Sequence, residues 1–204
     1  RYNFMSKRIC VFGNSIVRGG IDHEGGGWVG RLRKYVEPND SDVRIYNLGV
    51  SGDNIDDLLK RFDVETEARK PEIIIFGIGT NDSSYRQSLG GQYVPLEKFK
   101  KNLGVLKEKA DKFVKKIVFT GLTKVDESKT IPIPWNTDVS YKNKDVKEYD
   151  QAINNLCQKN NLLFIEMFDL LDKNDLEDGL HPNSVGHEKM FQRVKDFLIK
   201  NKVI

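Results

Sequence analysis

Hydrophobic residues along this chain follow two alternating patterns. Short apolar runs rich in β-branched and aromatic residues predict buried strands, and they begin at Ile9, Val43, Ile73, Ile117 and Leu162. Between these runs, apolar residues recur every three or four positions, which predicts amphipathic helices. The predicted helices carry the stripes Trp28, Leu32, Tyr35, Val36; Ile55, Leu58, Leu59, Phe62; Phe99, Leu103, Leu106, Ala110, Phe113; Tyr149, Ala152, Ile153, Leu156; and Met190, Val194, Phe197, Leu198. Five strand–helix alternations predict an α/β fold with a parallel sheet covered by helices on both faces.

Proline and small polar residues mark the expected ends of these helices. Pro38 is expected to close the first long helix, and Ser51 and Asp53 are expected to cap the second. Residues 124–144 show no such periodicity, and this stretch is too long for a simple connector. We therefore expect residues 124–144 to form a functional loop.

The chain of 204 residues suits one domain with a full core. Residues 1–4 precede Met5 and do not fit the pattern that follows. We expect residues 1–4 to be a cloning remnant and residues 5–204 to form a single domain.

Charge and cysteine content exclude several classes of function. The chain has 33 basic and 30 acidic residues, a net charge of +3, and no basic stripe with interleaved aromatic residues, so nucleic acid is not an expected partner. No apolar run is long enough to span a bilayer. The two cysteines, Cys10 and Cys157, lack the spacing of a metal or redox site and read as core residues of a cytoplasmic protein.

Polar residues follow the predicted strands, at the sheet edge where ligands bind in open parallel α/β folds. Ser15 follows the first strand, Gly49 the second and Asn81 the third, and a later loop carries Asp178 and His181. On its own, Ser15 is more typical of a helix cap than of a nucleophile. Together, these residues are the components that an acyl-transfer site requires.

Each of these residue types has a defined role in acyl transfer. A serine hydroxyl becomes a good nucleophile only when a base such as a neutral imidazole removes its proton. The base needs a carboxylate to orient it, and Asp178 and His181 are only three residues apart in a glycine-containing loop. The tetrahedral oxyanion needs fixed donors, for which the amides of Ser15 and Gly49 and the side chain of Asn81 are candidates.

Four short blocks of this sequence resemble those of the SGNH (GDSL-type) hydrolases. They are Gly-Asn-Ser-Ile at residues 13–16, Asn-Leu-Gly at 47–49, Gly-Ile-Gly-Thr-Asn-Asp at 77–82, and Asp-Gly-Leu-His-Pro at 178–182. They occur in the family's order and span nearly the whole chain. The resemblance implies a flavodoxin-like three-layer α/β/α sandwich with a five-stranded parallel sheet of order 2-1-3-4-5.

The same resemblance implies a serine ester hydrolase that needs no cofactor and no metal. Ser15 would be the nucleophile, and Asp178 and His181 would form the Asp/His pair that activates it. Ser15, Gly49 and Asn81 would form the oxyanion hole. The small-molecule substrate would be a carboxylester, a lysophospholipid, a thioester or an acetylated sugar. The sequence leaves the choice among these esters, and the oligomeric state, open.

Asn14 departs from the family pattern, which usually has aspartate at this position. Asparagine keeps an acceptor but loses the charge, and charge-assisted hydrogen bonds are about twice as strong as neutral ones. An alternative function is therefore a catalytically weakened SGNH-fold protein that binds lipid or carbohydrate. A flavin- or nucleotide-binding protein is disfavoured, because the chain lacks a phosphate-binding loop.

Trp135 lies in the long loop among Ile131, Pro132, Ile133 and Pro134. This apolar cluster has two readings, which the sequence weighs about equally. It packs against the domain, or it forms a wall of the substrate site.

Overall fold

The structure is a computed structural model that describes residues 7–40 and 42–204. The predicted remnant at residues 1–4 lies outside the described residues. The strands are β1 (Lys7–Gly13), β2 (Val43–Gly49), β3 (Ile73–Gly77), β4 (Tyr85–Arg86), β5 (Gly91–Gln92), β6 (Lys116–Thr120), β7 (Val139–Ser140) and β8 (Leu163–Ile165). The α-helices are α1 (Ser15–Arg18), α2 (Gly27–Asn39), α3 (Ile55–Arg69), α4 (Leu96–Asp111), α5 (Glu127–Thr130), α6 (Asn143–Asn160) and α7 (Ser184–Lys200). Short 3-10 helices lie at Gln87–Leu89 and Lys173–Asp175.

Five of these strands form a parallel sheet in the order β2-β1-β3-β6-β8. Counted within this sheet, the order is 2-1-3-4-5, which confirms the prediction. Strands β5, β4 and β7 form a separate small antiparallel sheet. The small sheet was not predicted, because its strands have only two residues each and carry no recognisable periodicity.

Alternate residues of the central strands point to opposite faces of the sheet, and both faces are covered. In β1, Cys10 and Phe12 belong to a core that includes residues of α3, α4 and α6. Ile9 and Val11 belong to a second core that includes residues of α1, α2 and α7. All four side chains are fully buried. This double burial is why the strand reads as a continuous apolar run, and it confirms the three-layer α/β/α prediction.

Two expectations about helix ends differ from the structure. Helix α2 continues one residue beyond Pro38 and ends at Asn39. Helix α3 is capped by Asn54, whose side chain accepts from the backbone N–H groups of Asp56 and Asp57. A side chain can cap α3 only from the residue directly before the first helical turn, and Asn54 holds that place.

Ser51 and Asp53, which were expected to cap α3, have other partners. The hydroxyl of Ser51 accepts a hydrogen bond from Arg18, and the carboxylate of Asp53 accepts one from Arg61. Both bonds tie the loop after β2 to neighbouring elements.

Residues 124–144 are less irregular than the sequence suggests. They contain the helical turn α5 and the strand β7, whose pairing with β4 joins this segment to the loop that follows β3. Among residues 7–40 and 42–204, no helix has the length and apolar character needed to cross a membrane.

Candidate active site

Ser15 lies at a sharp transition between the first strand and the first helix. It is the first residue of α1, directly after the N-cap Asn14 and two residues beyond the end of β1. The transition requires a glycine at position 13, since a Cβ there would lie 2.2 Å from the carbonyl oxygen of Gly77. Strand, turn and helix therefore hold Ser15 at the carboxyl edge of the sheet, with its side chain 8% exposed.

Ser15, His181 and Asp178 form a chain of hydrogen bonds. Oγ of Ser15 lies 2.8 Å from Nε2 of His181, although 166 residues separate them. Nδ1 of His181 lies 2.7 Å from Oδ2 of Asp178. The other carboxylate oxygen of Asp178 accepts from the backbone N–H groups of Leu180 at 2.9 Å and His181 at 2.7 Å. The local loop thus fixes the acid and the imidazole relative to each other.

The environment of Asp178 keeps its carboxylate charged. Burial favours the neutral acid, but the hydrogen bonds from the ring and backbone of His181 outweigh it and hold the pKa of Asp178 below its usual value. An ionised carboxylate accepts the proton of Nδ1, which leaves Nε2 as the acceptor that faces the Ser15 hydroxyl. This is the tautomer that a general base acting on Ser15 needs.

Asn81 lies in the loop after β3, with its side chain held from both ends. Its Nδ2 donates to the backbone oxygen of Asp53 at 2.9 Å, and its Oδ1 accepts from the hydroxyl of Tyr141 at 3.0 Å. A primary amide has two N–H groups, so one remains for a ligand. Asn81 lines the same cavity as Ser15 and His181.

Gly49, which the sequence predicts as an oxyanion donor, is not among the residues that line the cavity in the described part of the chain. Its N–H donates to the side-chain oxygen of Asn47 at 3.0 Å, so it is already satisfied inside β2. Gly49 is needed there for close packing, because a Cβ would lie 2.2 Å from the backbone nitrogen of Arg18. Gly52, three residues further on, lines the cavity instead and has a left-handed φ of +87°.

The cavity has a volume of about 380 Å³. Trp135 forms part of its wall, with the indole 54% exposed and its ring centroid 6.4 Å from that of His181. Ser15 and His181 lie in the same cavity, so the long loop contributes to the candidate site rather than only packing against the domain. The size falls within the usual range for small-molecule sites.

The cavity residues that the sequence did not predict include three with long polar side chains: Arg18, Arg86 and Tyr141. Arg18 follows Ser15 by three residues, so helical spacing could have placed it near the site. Arg86 and Tyr141 reach the cavity through the small sheet, and no sequence pattern predicts that sheet. Their placement depends on the pairing of β4 with β7.

Asn14 caps the N-terminus of α1, and a neutral acceptor is sufficient for this. Its Oδ1 accepts the backbone N–H of Ile16 at 3.0 Å, and the side chain is 2% exposed. This is a helix N-cap, for which asparagine and aspartate are about equally suited. The departure from the usual aspartate therefore preserves the geometry of the turn that presents Ser15.

Two other titratable residues lie away from the hydrogen-bonded chain. Asp175 forms an ion pair with Lys189 at 2.7 Å. His187 is fully buried in α7, where its Nδ1 accepts the backbone N–H of Trp28 at 3.2 Å. Burial lowers the pKa of His187 to about 4, so the ring is neutral near pH 7.

Comparisons with known proteins place this chain among esterases. The sequence model of the GDSL-like lipase/acylhydrolase family matches residues 11–189. The GDSL esterase/lipase CPRD49 of Arabidopsis thaliana is 28% identical over 192 residues, which cover 88% of this chain and 73% of that protein. The chain also shares its fold with the acetylxylan esterase Axe2 of Geobacillus stearothermophilus, at a TM-score of 0.75, 20% identity and 94% coverage of each chain. LAE5, an α/β hydrolase enzyme from the metagenome of Lake Arreo, gives a TM-score of 0.75 at 18% identity and 94% coverage of each chain.

Proposed function

We propose that this chain, which belongs to the GDSL-like lipase/acylhydrolase family and hydrolyses ester bonds, does so through Ser15, His181 and Asp178 acting as a catalytic triad. The observation that carries the proposal is the pair of contacts at 2.8 Å and 2.7 Å that joins Ser15 Oγ to His181 and His181 to Asp178. Nucleophile, base and orienting acid are each within hydrogen-bond reach of the next, as the reaction needs.

The first half of the reaction forms an acyl-enzyme. Nε2 of His181 removes the proton of the Ser15 hydroxyl as Oγ attacks the carbonyl carbon of the ester. The charged carboxylate of Asp178 stabilises the imidazolium that forms. The tetrahedral intermediate then collapses, the bond to the alcohol oxygen breaks, and the imidazolium gives its proton to the departing alcohol or thiol.

The second half of the reaction releases the acid. A water molecule gives a proton to His181 and attacks the acyl carbon, and the bond to Ser15 Oγ breaks as the imidazolium reprotonates that oxygen. The sum is one ester and one water converted to one acid and one alcohol. The residues of this chain supply all of these proton transfers.

Three donors are proposed to hold the oxyanion: the backbone N–H groups of Ser15 and Gly52, and the second N–H of the Asn81 amide. Gly52 replaces Gly49 in this role, because Gly49 N–H is bonded to Asn47. Ser15, Gly52 and Asn81 all line the cavity, which supports this assignment. Loss of one such donor typically slows turnover by about 100- to 1000-fold.

The substrate is proposed to be an ester of a small acid. A cavity of about 380 Å³ with an indole in its wall suits a short acyl group or a compact alcohol. Carboxylesters, lysophospholipids, thioesters and acetylated sugars are the candidate classes, and Axe2, which acts on acetylated xylan according to its name, favours testing the last of these. The cytoplasmic location stays a prediction.

Hydrolysis of p-nitrophenyl esters of graded chain length tests this proposal. We expect turnover of the acetate ester by the unaltered chain and a loss of about 1000-fold or more in Ser15→Ala. Ser128→Ala is the matched control, since Ser128 is an exposed serine in α5 that contacts Asp126 and not His181. Turnover that survives in Ser15→Ala, or no turnover of any ester, would refute the proposed mechanism.

A further inference from the structure

The residues that line the cavity carry a net positive charge. Arg18 and Arg86 both line it, and among the lining residues in the described part of the chain none is an aspartate or a glutamate. Within residues 7–40 and 42–204, neither arginine forms an ion pair. Arginines without a counterion in a ligand cavity attract anions and increase their local concentration.

We propose that the esters taken by this site carry an anionic group, a carboxylate or a phosphate, which Arg86 binds while the ester carbonyl meets Ser15. This inference rests on the proposed function, since it names the class of ester that the same cavity accepts. The established family activity does not specify any charge on the substrate.

Arg86 is held in place and lacks a partner for one of its donors. Its guanidinium lies over the ring of Tyr93, 4.4 Å from the centroid. Its Nε is buried and has no hydrogen-bond partner in the described residues. Because Arg86 forms no ion pair with any described residue, its guanidinium keeps N–H donors that a carboxylate or phosphate oxygen can accept from.

The backbone of Arg86 is fixed as well. Arg86 pairs with Gly91 and Val139 in the small antiparallel sheet, so its side chain starts from a paired strand rather than a free loop. The planar guanidinium presents donors in a fork that matches two oxygens of one anion. A rigid arginine without an ion-pair partner is therefore suited to bidentate binding.

Asp138 interacts electrostatically with Arg86 but does not form an ion pair with it. Asp138 is half-buried, and its two carboxylate oxygens accept from the backbone N–H of Ser88 at 2.6 Å and from the Ser88 hydroxyl at 2.8 Å. These hydrogen bonds, with a smaller contribution from the charge of Arg86, lower the pKa of Asp138. Asp138 is thus occupied by Ser88 and leaves the guanidinium open toward the cavity.

Arg18 adds a second positive charge on the side of the nucleophile. It follows Ser15 in α1, and its Nη1 donates to the hydroxyl of Ser51 at 2.8 Å. Its side chain is exposed, so it attracts an anionic substrate mainly at long range, and salt weakens this attraction. Arg86 is the anchor in this arrangement and Arg18 assists the approach of the substrate.

The experiment compares pairs of esters of similar size, one member anionic and the other neutral. One pair, p-nitrophenyl hydrogen adipate and p-nitrophenyl hexanoate, places the charge on the acyl group. A second pair, p-acetoxybenzoate and its methyl ester, places a carboxylate on the alcohol, and p-acetoxyphenyl phosphate replaces that carboxylate by a phosphate. These substrates distinguish an anion on the acyl group from one on the alcohol, and a carboxylate from a phosphate.

We expect at least one anionic ester to exceed its neutral partner in kcat/KM by about 10- to 100-fold at low salt. Arg86→Gln should remove this preference, lowering kcat/KM for the anionic ester about 10- to 100-fold more than for its neutral partner. Arg86→Lys should recover only part of it, because an ammonium lacks the planar fork. Arg33→Gln, which removes an exposed arginine paired with Glu37 on α2, is the matched control and should keep the preference.

Two results would overturn the inference: equal kcat/KM for the charged and neutral member of every pair, or an equal loss for both members in Arg86→Gln. Calorimetric binding separates it from the proposed mechanism, because Ser15→Ala protein can bind an ester that it does not cleave. Binding of the preferred anionic ester that Arg86→Gln abolishes supports the inference even if the steps proposed for turnover are wrong. Binding that is unchanged by Arg86→Gln contradicts it.

Discussion

The hydroxyl of Tyr141 donates a hydrogen bond to Oδ1 of Asn81 across 3.0 Å, and both side chains are buried. With Oδ1 held in this way and one N–H bonded to Asp53, the Asn81 amide has a single orientation. The remaining N–H is therefore set in space before substrate binds, which is what an oxyanion donor requires. Tyr141 acts on the reaction through Asn81 as a positioning residue.

Removal of this hydroxyl by Tyr141→Phe should lower kcat for p-nitrophenyl acetate by about tenfold, part of the 100- to 1000-fold effect of losing a donor outright. KM should change less than twofold, because the bond positions a donor for the transition state. Tyr149→Phe is the control, since the Tyr149 hydroxyl donates to the backbone oxygen of Val94 within the core. Both variants should lose about 1 kcal/mol of unfolding free energy. A tenfold loss of kcat in Tyr149→Phe as well would show that the effect is general destabilisation.

Alanine at the two glycines after the second strand should separate a packing role from a catalytic one. Gly49→Ala would force a Cβ to 2.2 Å from the Arg18 nitrogen, so denaturant unfolding should show a loss of about 2 kcal/mol or more. Gly52→Ala meets nothing within 4 Å and costs only the strain of a positive φ, about 1–2 kcal/mol. We expect Gly52→Ala to remain folded and to lose at least about tenfold in kcat, because strain at φ +87° shifts its amide. Full activity in folded Gly52→Ala would remove Gly52 from the oxyanion hole.

Substitution of Asn14 tests whether the usual aspartate matters. Asn14→Asp keeps the acceptor for the Ile16 N–H, so kcat/KM should change less than about threefold. Asn14→Ala removes the acceptor and should lower the unfolding free energy by about 1 kcal/mol and reduce turnover. Activity raised tenfold or more in Asn14→Asp would show instead that the missing charge weakens this enzyme.

Trp135 is expected to select for acyl chain length. Trp135→Ala removes an apolar wall, and each buried methylene of a substrate is worth about 0.8 kcal/mol, so KM for p-nitrophenyl hexanoate should rise about tenfold. KM for the acetate ester should stay within about twofold, since a two-carbon acyl group has little surface to lose. Leu89→Ala serves as the control, because Leu89 is exposed and outside the residues that line the cavity. An equal rise in KM for both esters would assign Trp135 to packing.

Asp82 should make stability depend on pH. Its side chain is fully buried, one oxygen accepts from the Ile55 N–H at 2.9 Å, and burial raises its pKa to about 7. Since the folded pKa is above the unfolded value of about 4, this carboxyl contributes stability that is present at pH 4 and lost as pH rises toward and past 7. Asp82→Asn keeps an acceptor for Ile55 without a charge.

The difference in unfolding free energy between the unaltered chain and Asp82→Asn should therefore grow with pH between 4 and 8, in favour of the variant. Its size is on the order of 3–4 kcal/mol, from 1.36 kcal/mol per pKa unit. His187, with a pKa lowered by burial, destabilises the fold in the opposite direction as pH falls from about 6.5 to 4, but it is common to both proteins and cancels. Parallel pH curves for the two proteins would contradict the prediction.

The sequence by itself determined the fold and the parts of the site that depend on local geometry. Double burial of β1 makes both of its faces apolar, so the parallel sheet is readable from one continuous run such as Ile9 to Phe12. Asp178 and His181 are three residues apart, and a single turn brings them into contact without help from other elements.

The tertiary structure decided which residues complete the cavity. The sequence does not distinguish Gly49 from Gly52 as a donor, and only the structure shows that the Gly49 N–H already donates to the Asn47 side chain. Tyr141 reaches Asn81 across 60 residues, and Arg86 reaches the cavity through a sheet of two-residue strands. Contacts of this kind depend on how distant segments pack, and neither hydrophobic periodicity nor residue spacing records that packing.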